Sequence, residues 1–129
     1  MQKRNRIIYW IATVWLCLGM VSTGSAQLRH VQKGPGATEM MTHLGYPVYM
    51  LTMLGLLKVA AAVALLIPRF PLIKEWAYAG CFFLMFGAIW SHIAVGDTVA
   101  ELIPALLLIV LTIVSWYFRP TNRKLVSPV

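Results

Sequence analysis

Four stretches of this chain are apolar for long enough to cross a lipid bilayer, and polar residues stand between them. A spanning helix needs about 20 mostly apolar residues, because the hydrocarbon layer is roughly 30 Å thick and a helix rises about 1.5 Å per residue. Residues 7–23 carry no charge, and residues 47–67 carry one, Lys58. Residues 73–95 have Lys74 and Glu75 at their start, and residues 99–118 have Glu101 in their first turn. None of the four alternates with a period of two, and four strands cannot close a barrel in lipid, so the blocks predict helices. The expected fold class is all-α: one integral membrane domain, a four-helix bundle of antiparallel up-down topology.

The punctuation agrees with those bounds. Pro68-Arg69-Phe70-Pro71 interrupts a helix and predicts a tight hairpin between the second and third spans. Gly96 stops the third, Thr98-Val99-Ala100-Glu101 reads as a capping box opening the fourth, and Arg119-Pro120 closes it. The long connection, residues 24–46, carries Gly34-Pro35-Gly36 and then Thr38 to Leu44, where Met40, Met41 and Leu44 share one side. A short helix lying at the membrane interface is expected there.

Composition strengthens the picture and charge orients it. The 129 residues are 60% apolar and 12% charged, with a mean hydropathy of +0.75, which excludes an ordinary water-soluble fold. The net charge of +7 would raise the question of nucleic acid, but its placement answers differently. Lys3, Arg4, Arg6, Arg69, Lys74, Arg119, Arg123 and Lys124 fall on one side of the predicted spans. Arg29 and Lys33 fall on the other, beside Glu39, Asp97 and Glu101. By the positive-inside rule the protein is multi-pass with both termini cytoplasmic, and the basic excess reads as topology and attraction to anionic lipid, with no nucleic-acid partner. Tyr9, Trp10, Phe70, Trp76, Trp116, Tyr117 and Phe118 mark the inner interface, and Tyr46, Tyr49 and Trp90 the outer one. Lys3 to Arg6 followed by an apolar stretch and Gly24-Ser25-Ala26 also fits a secretory signal. The length of the stretch, its two tryptophans and its small-residue stripe favour a retained first helix.

Helices in lipid associate through small residues and polar contacts, so a stripe of these at helical spacing marks an inward face. The stripes are Thr13, Cys17, Met20 and Gly24; Leu51, Gly55, Lys58, Ala62 and Leu65; Ala77, Cys81, Met85, Ala88 and His92; and Glu101, Ala105, Leu108, Thr112 and Ser115. Phe83, Phe86 and Trp90 lie on another side of the third helix.

Lys58 is the most informative residue. It sits near the middle of its block, so roughly 15 Å of hydrocarbon separates its backbone from either interface, farther than a lysine reaches. An isolated lysine at a helix centre costs at least about 2.5 kcal/mol, which turns it toward the bundle and makes it a functional candidate. The competing reading is a packing anchor that donates to backbone carbonyls or partly snorkels. Side chains lean toward a helix N-terminus, which brings Lys58 and His92 toward each other. With Asp97 and Glu101 just above, the four form a candidate ligand-binding cluster open to the outer face. Each has a plainer alternative: the capping box for Glu101, a solvated loop for Asp97, an interfacial histidine with a satisfied ring for His92 against a proton-handling one. Pro104 leaves the carbonyl of Ala100 free and predicts a bend beside the cluster.

Other chemistries find no support. Only His92 lies in a predicted span, so a bis-histidine haem site is not expected. Cys17 and Cys81 form no Cys-x-x-Cys and read as small hydrophobes, and neither phosphate-loop nor zinc spacing occurs. No catalytic or metal-ligating residue is assigned.

His43-Leu44-Gly45-Tyr46-Pro47, Leu54-Gly55-Leu56-Leu57-Lys58 running to Ile67-Pro68, Lys74-Glu75-Trp76-Ala77-Tyr78-Ala79-Gly80 through Gly87-Ala88 to Ser91-His92 and Gly96-Asp97, then Pro104 and Arg119-Pro120, together resemble the DoxX-like family of small four-helix bacterial membrane proteins. The resemblance covers roughly residues 40 to 120 and implies a bacterial cytoplasmic (inner) membrane location. The broader family takes its name from a subunit of a quinone-linked oxidoreductase, which makes quinone the one cofactor to consider and a membrane or redox protein the partner to expect. By position Lys58 and His92 match the family pattern, which itself establishes no catalysis. The leading expectation is a non-catalytic accessory subunit in quinone-linked redox or envelope-stress physiology, not a stand-alone enzyme, holding a small amphipathic molecule near Lys58 and His92. A structural or assembly partner of a membrane complex and a minimal transporter are the alternatives.

Overall fold

A computed structural model describes residues 3–32, 37–120 and 123–124. Lys33 and Gly34-Pro35-Gly36, read above as part of the long connection, lie outside the described residues. The chain forms five helices: α1 (Lys3–Leu28), α2 (Thr38–His43), α3 (Tyr49–Leu66), α4 (Pro71–Ala94) and α5 (Val99–Tyr117). All but α2 are long and apolar enough to cross a membrane. No strand occurs among the described residues.

The bounds differ from expectation in instructive places. α1 runs on to Leu28 instead of stopping at Thr23. Gly24 does not end it, because here the missing side chain serves packing: a Cβ on Gly24 would lie 3.1 Å from the carbonyl oxygen of Gly55 and 3.1 Å from the Cβ of Lys58. The chain leaves the helix only at His30, whose φ is 52°. α4 begins at Pro71, where a proline is preorganised and its missing N–H costs nothing. The turn before it holds Arg69 and Phe70 at φ 68° and 54°, a left-handed pair that reverses the path between two prolines. The capping box at Thr98 does not form. Thr98 has the extended backbone of an N-cap, yet its hydroxyl makes no capping bond, and Glu101, although exposed, borders a half-open cavity instead.

α1 packs on α3 and α5, and α4 packs on α3 and α5, so the four long helices close a ring. The buried residues follow the predicted stripes: Thr13, Cys17, Met20 and Gly24 on α1, Leu51, Gly55, Lys58, Ala62 and Leu65 on α3, Ala77, Cys81, Met85 and His92 on α4, Ala105, Thr112 and Ser115 on α5. Ala88 and Leu108 are half-buried, and Glu101 is exposed. Phe83, Phe86 and Trp90 face away from the core. Cys17 and Cys81 are free thiols, and Cys17 donates to the carbonyl of Ala62.

Polar groups stitch the ring at two levels. About one helical turn in from the end that holds the α3–α4 turn, Ser115 sits 2.6 Å from Thr13 and 2.8 Å from the Tyr78 hydroxyl, tying α1, α4 and α5 together. At the end holding the α3–α4 turn, two cations cap the last turn of α3. Lys74 donates to the carbonyls of Ala64 (2.8 Å) and Ile67, while Arg123 donates to those of Leu65 (2.8 Å) and Leu66 (3.3 Å). These carbonyls have no partner within the helix, and a cation at a helix C-terminus also meets the negative end of its dipole. Charge placement alone read both residues as topology markers; Lys74 is 1% exposed and also holds the fold. Tyr9, expected at the interface, is fully buried, and its hydroxyl accepts from Arg123 at 3.3 Å.

Candidate functional site

The opposite end of the bundle holds a half-open cavity of about 120 Å³. Helical spacing points polar residues into it from every wall: Thr23 and Gln27 from α1, Lys58 from α3, His92 from α4 and Glu101 from α5. Met40, Met41 and Leu44 close it from above, so the apolar side of the short helix covers this cavity.

The Lys58 ammonium donates to the Thr23 hydroxyl at 3.2 Å, and that hydroxyl donates on to the carbonyl of Gly19 at 2.9 Å. An ammonium carries three donors. Only this one bond engages it among the described residues, which leaves two N–H groups for the cavity. Gln27 is more isolated. The residue is 2% exposed, and its Oε1 is buried without a hydrogen-bond partner among the described residues. A buried amide oxygen left unpaired typically costs about 1–3 kcal/mol, so its position beside a cavity is a feature to explain.

Asp97 is not the solvated loop residue of the plainer expectation. Its side chain is 12% exposed and lies 2.6 Å from His92 Nδ1 and 2.7 Å from His43 Nε2. Hydrogen bonds from His92 and then His43 hold the Asp97 carboxyl below the usual carboxylate range. Asp97 thereby fixes the His92 ring and ties the end of α2 to the α4–α5 connection.

The four residues singled out from sequence are therefore brought together in part. Lys58, His92 and Glu101 line one cavity, and Asp97 stands behind His92. They do not form a direct ion-paired cluster: Lys58 bonds to Thr23, and Glu101 makes no salt bridge among the described residues. Gln27 and His43 were missed. The signal for Gln27 was present as the continuation of Met20 and Gly24 by one more helical step, and it went unread because the helix was ended early. His43 needed the fold, since its partner is far along the chain.

Lys58 also borders a second space. A groove of about 410 Å³ runs between α3 and α4, past Leu57, Ala61, Trp76 and Gly80, and shares Leu54, Lys58 and Leu84 with the cavity. The lysine thus stands where a small, mostly apolar pocket carrying five polar side chains meets an apolar groove. A third groove, about 310 Å³ between α4 and α5, holds one ionisable carboxylate, Glu75, already engaged by Arg119 at 2.9 Å and Trp116 at 3.0 Å. Among the described residues no group of three or more His, Cys, Asp or Glu is placed to hold a metal ion.

In comparison with known proteins, residues 11–114 match the model of the DoxX-like family. No curated protein and no solved structure matches the chain.

Proposed function

This chain belongs to the DoxX-like family and is a multi-pass membrane protein, and from that premise we propose that its bundle binds one small amphipathic molecule of the quinone class, head in the cavity and tail along the α3–α4 groove. The single observation that carries the reading is the junction at Lys58, where a small pocket with five polar side chains in an otherwise apolar lining and an apolar groove share one cation. A cavity of about 150 Å³ accommodates a benzene ring, so 120 Å³ holds at most one six-membered ring, and any substituent or tail must leave through the adjoining groove. The free Lys58 N–H groups supply donors to a ring carbonyl, and the Gln27 amide adds a polar partner. The groove suits a hydrocarbon tail by its lining.

In this reading the protein works as an accessory subunit in quinone-linked redox or envelope-stress physiology, beside a membrane or redox partner. It sits in the bacterial inner membrane with both termini cytoplasmic, an orientation supported by the eight basic residues on one side. The test uses a short-tailed benzoquinone titrated into the protein in lipid nanodiscs, followed by quenching of Trp76, which lines the groove. Saturable quenching weakened about 10- to 150-fold in Lys58→Met is expected, since a hydrogen bond from a charged donor contributes about 1.5–3 kcal/mol. Quenching that merely follows partition into lipid, equal in both proteins, would sink the proposal. A second reading has its own support: the Lys58 bond to Thr23 and the close approach of Gly24 to Gly55 fit a lysine that only sets the register of α1 on α3. In that case the unmodified protein shows no saturable quenching, and Lys58→Met destabilises the bundle.

A further inference from the structure

His92 offers the cavity more than a surface. Asp97, held ionised, can only accept hydrogen bonds, so the nitrogens facing it, His92 Nδ1 at 2.6 Å and His43 Nε2 at 2.7 Å, both carry protons. A neutral His92 then has its lone pair on Nε2, at the far side of the ring. That ring is 5% exposed and lines the cavity, and Nε2 has no hydrogen-bond partner among the described residues. Lys58, with two N–H groups uncommitted among the described residues, lines the same space, and so does Gln27 with its unpaired amide oxygen.

A base and a cation across one small chamber recognise an acidic hydroxyl. We propose that the cavity takes a phenol- or quinol-type ring hydroxyl and holds it as the oxyanion, with His92 Nε2 accepting the proton and Lys58 receiving the charged oxygen. This rests on the ligand-binding reading above and names the chemistry of the head. The O–H bond breaks with its electron pair left on oxygen, an N–H bond forms at Nε2, and the net charge of the complex does not change. Asp97 acts as a positioning residue that holds the ring and stabilises the imidazolium, and His43, 55% exposed, is the second donor that keeps Asp97 in place. The charged and titratable groups around His92 are Asp97 from the connection, His43 from α2, Lys58 from α3 and Glu101 from α5; α1 contributes only uncharged Thr23 and Gln27. Glu101 opposes an oxyanion but is exposed, so solvent weakens its effect. The imidazolium and the ammonium bracket the new negative charge.

The probe is an alkyl-substituted nitrophenol, coloured only as phenolate, with its methyl ether as a companion that cannot ionise. Both are titrated into the full chain in nanodiscs one pH unit below the probe's own ionisation, where about a tenth of it is phenolate in water. The expected result is saturable binding of both, with the bound phenol mostly phenolate, a shift of at least about tenfold in its ionisation ratio. His92→Gln returns the bound phenol to its colourless form. Asp97→Asn loses most of the shift. His30→Gln, which alters a histidine paired with Thr52 outside the cavity, changes nothing. Colourless bound phenol in the unmodified protein, or full colour in His92→Gln, overturns the proton-transfer inference while ether binding leaves the ligand reading standing. Binding of neither compound overturns both.

Discussion

The seam between α1 and α3 gives the sharpest numerical test. Gly55 and Gly80 both lie inside long helices, so replacing either by alanine raises helix propensity by about 1 kcal/mol. Their surroundings differ completely. A Cβ on Gly55 would lie 2.7 Å from the carbonyl oxygen of Gly24 and 2.8 Å from Leu28 Cγ, whereas a Cβ on Gly80 meets nothing within 4 Å. The first of those obstacles is backbone, so the two helices must move apart until 2.7 Å becomes an ordinary contact. One turn away, the 3.2 Å bond from Lys58 to Thr23 stretches past hydrogen-bonding range in the process. Overpacking of this kind costs about 1–3 kcal/mol. Because propensity cancels between the two variants, Gly55→Ala is expected to be less stable than Gly80→Ala by about that amount, roughly 5- to 150-fold in the unfolding constant. Gly19→Ala should fall between them, since its new Cβ would strike only the flexible end of Leu108, at 2.7 Å. Reversible unfolding in mixed micelles, followed by tryptophan fluorescence, measures the series. Equal stability of Gly55→Ala and Gly80→Ala would refute the claim that α1 and α3 are in backbone contact.

Three further outcomes follow from the same contacts. Lys74→Met removes two charge-assisted hydrogen bonds from the buried end of α3, and denaturation in the same micelles should show a loss of about 2–4 kcal/mol. Thr13→Val and Tyr78→Phe should each cost about 1 kcal/mol, and a double-mutant cycle should find them coupled through Ser115; strict additivity would show that the three hydroxyls do not act as a unit. The depressed Asp97 carboxyl stabilises the docked α2 above its unfolded value of about 3.9, and that contribution is lost as pH falls through the lower folded value. A fluorophore on Thr42→Cys should therefore report a release of α2 only below about pH 4, with no such step in Asp97→Asn.

Much of the architecture was already legible in the pattern of residues. Apolar length and small-residue stripes are local properties of a chain that must satisfy its own backbone in lipid, so four spans and their inward faces could be read before any packing was known. The stripe Cys81, Met85, His92 and the placement of Lys58 belong to this class. Partners separated by tens of residues do not. Arg123 and Lys74 looked like topology signals because charge near a span end says nothing about which carbonyls a side chain will reach. Gln27 was hidden by a glycine whose role, contact or stop, depends on whether another helix lies against it. Asp97 became the partner of His92 and His43 only once α2 folded back over the bundle. Period and composition thus decided which side of each helix is wet, greasy or small. The meeting of those sides, which places an unpaired amide, a half-engaged ammonium and an oriented imidazole around one chamber, was decided by the tertiary structure, because each of these groups acquires its role from a residue on a different helix.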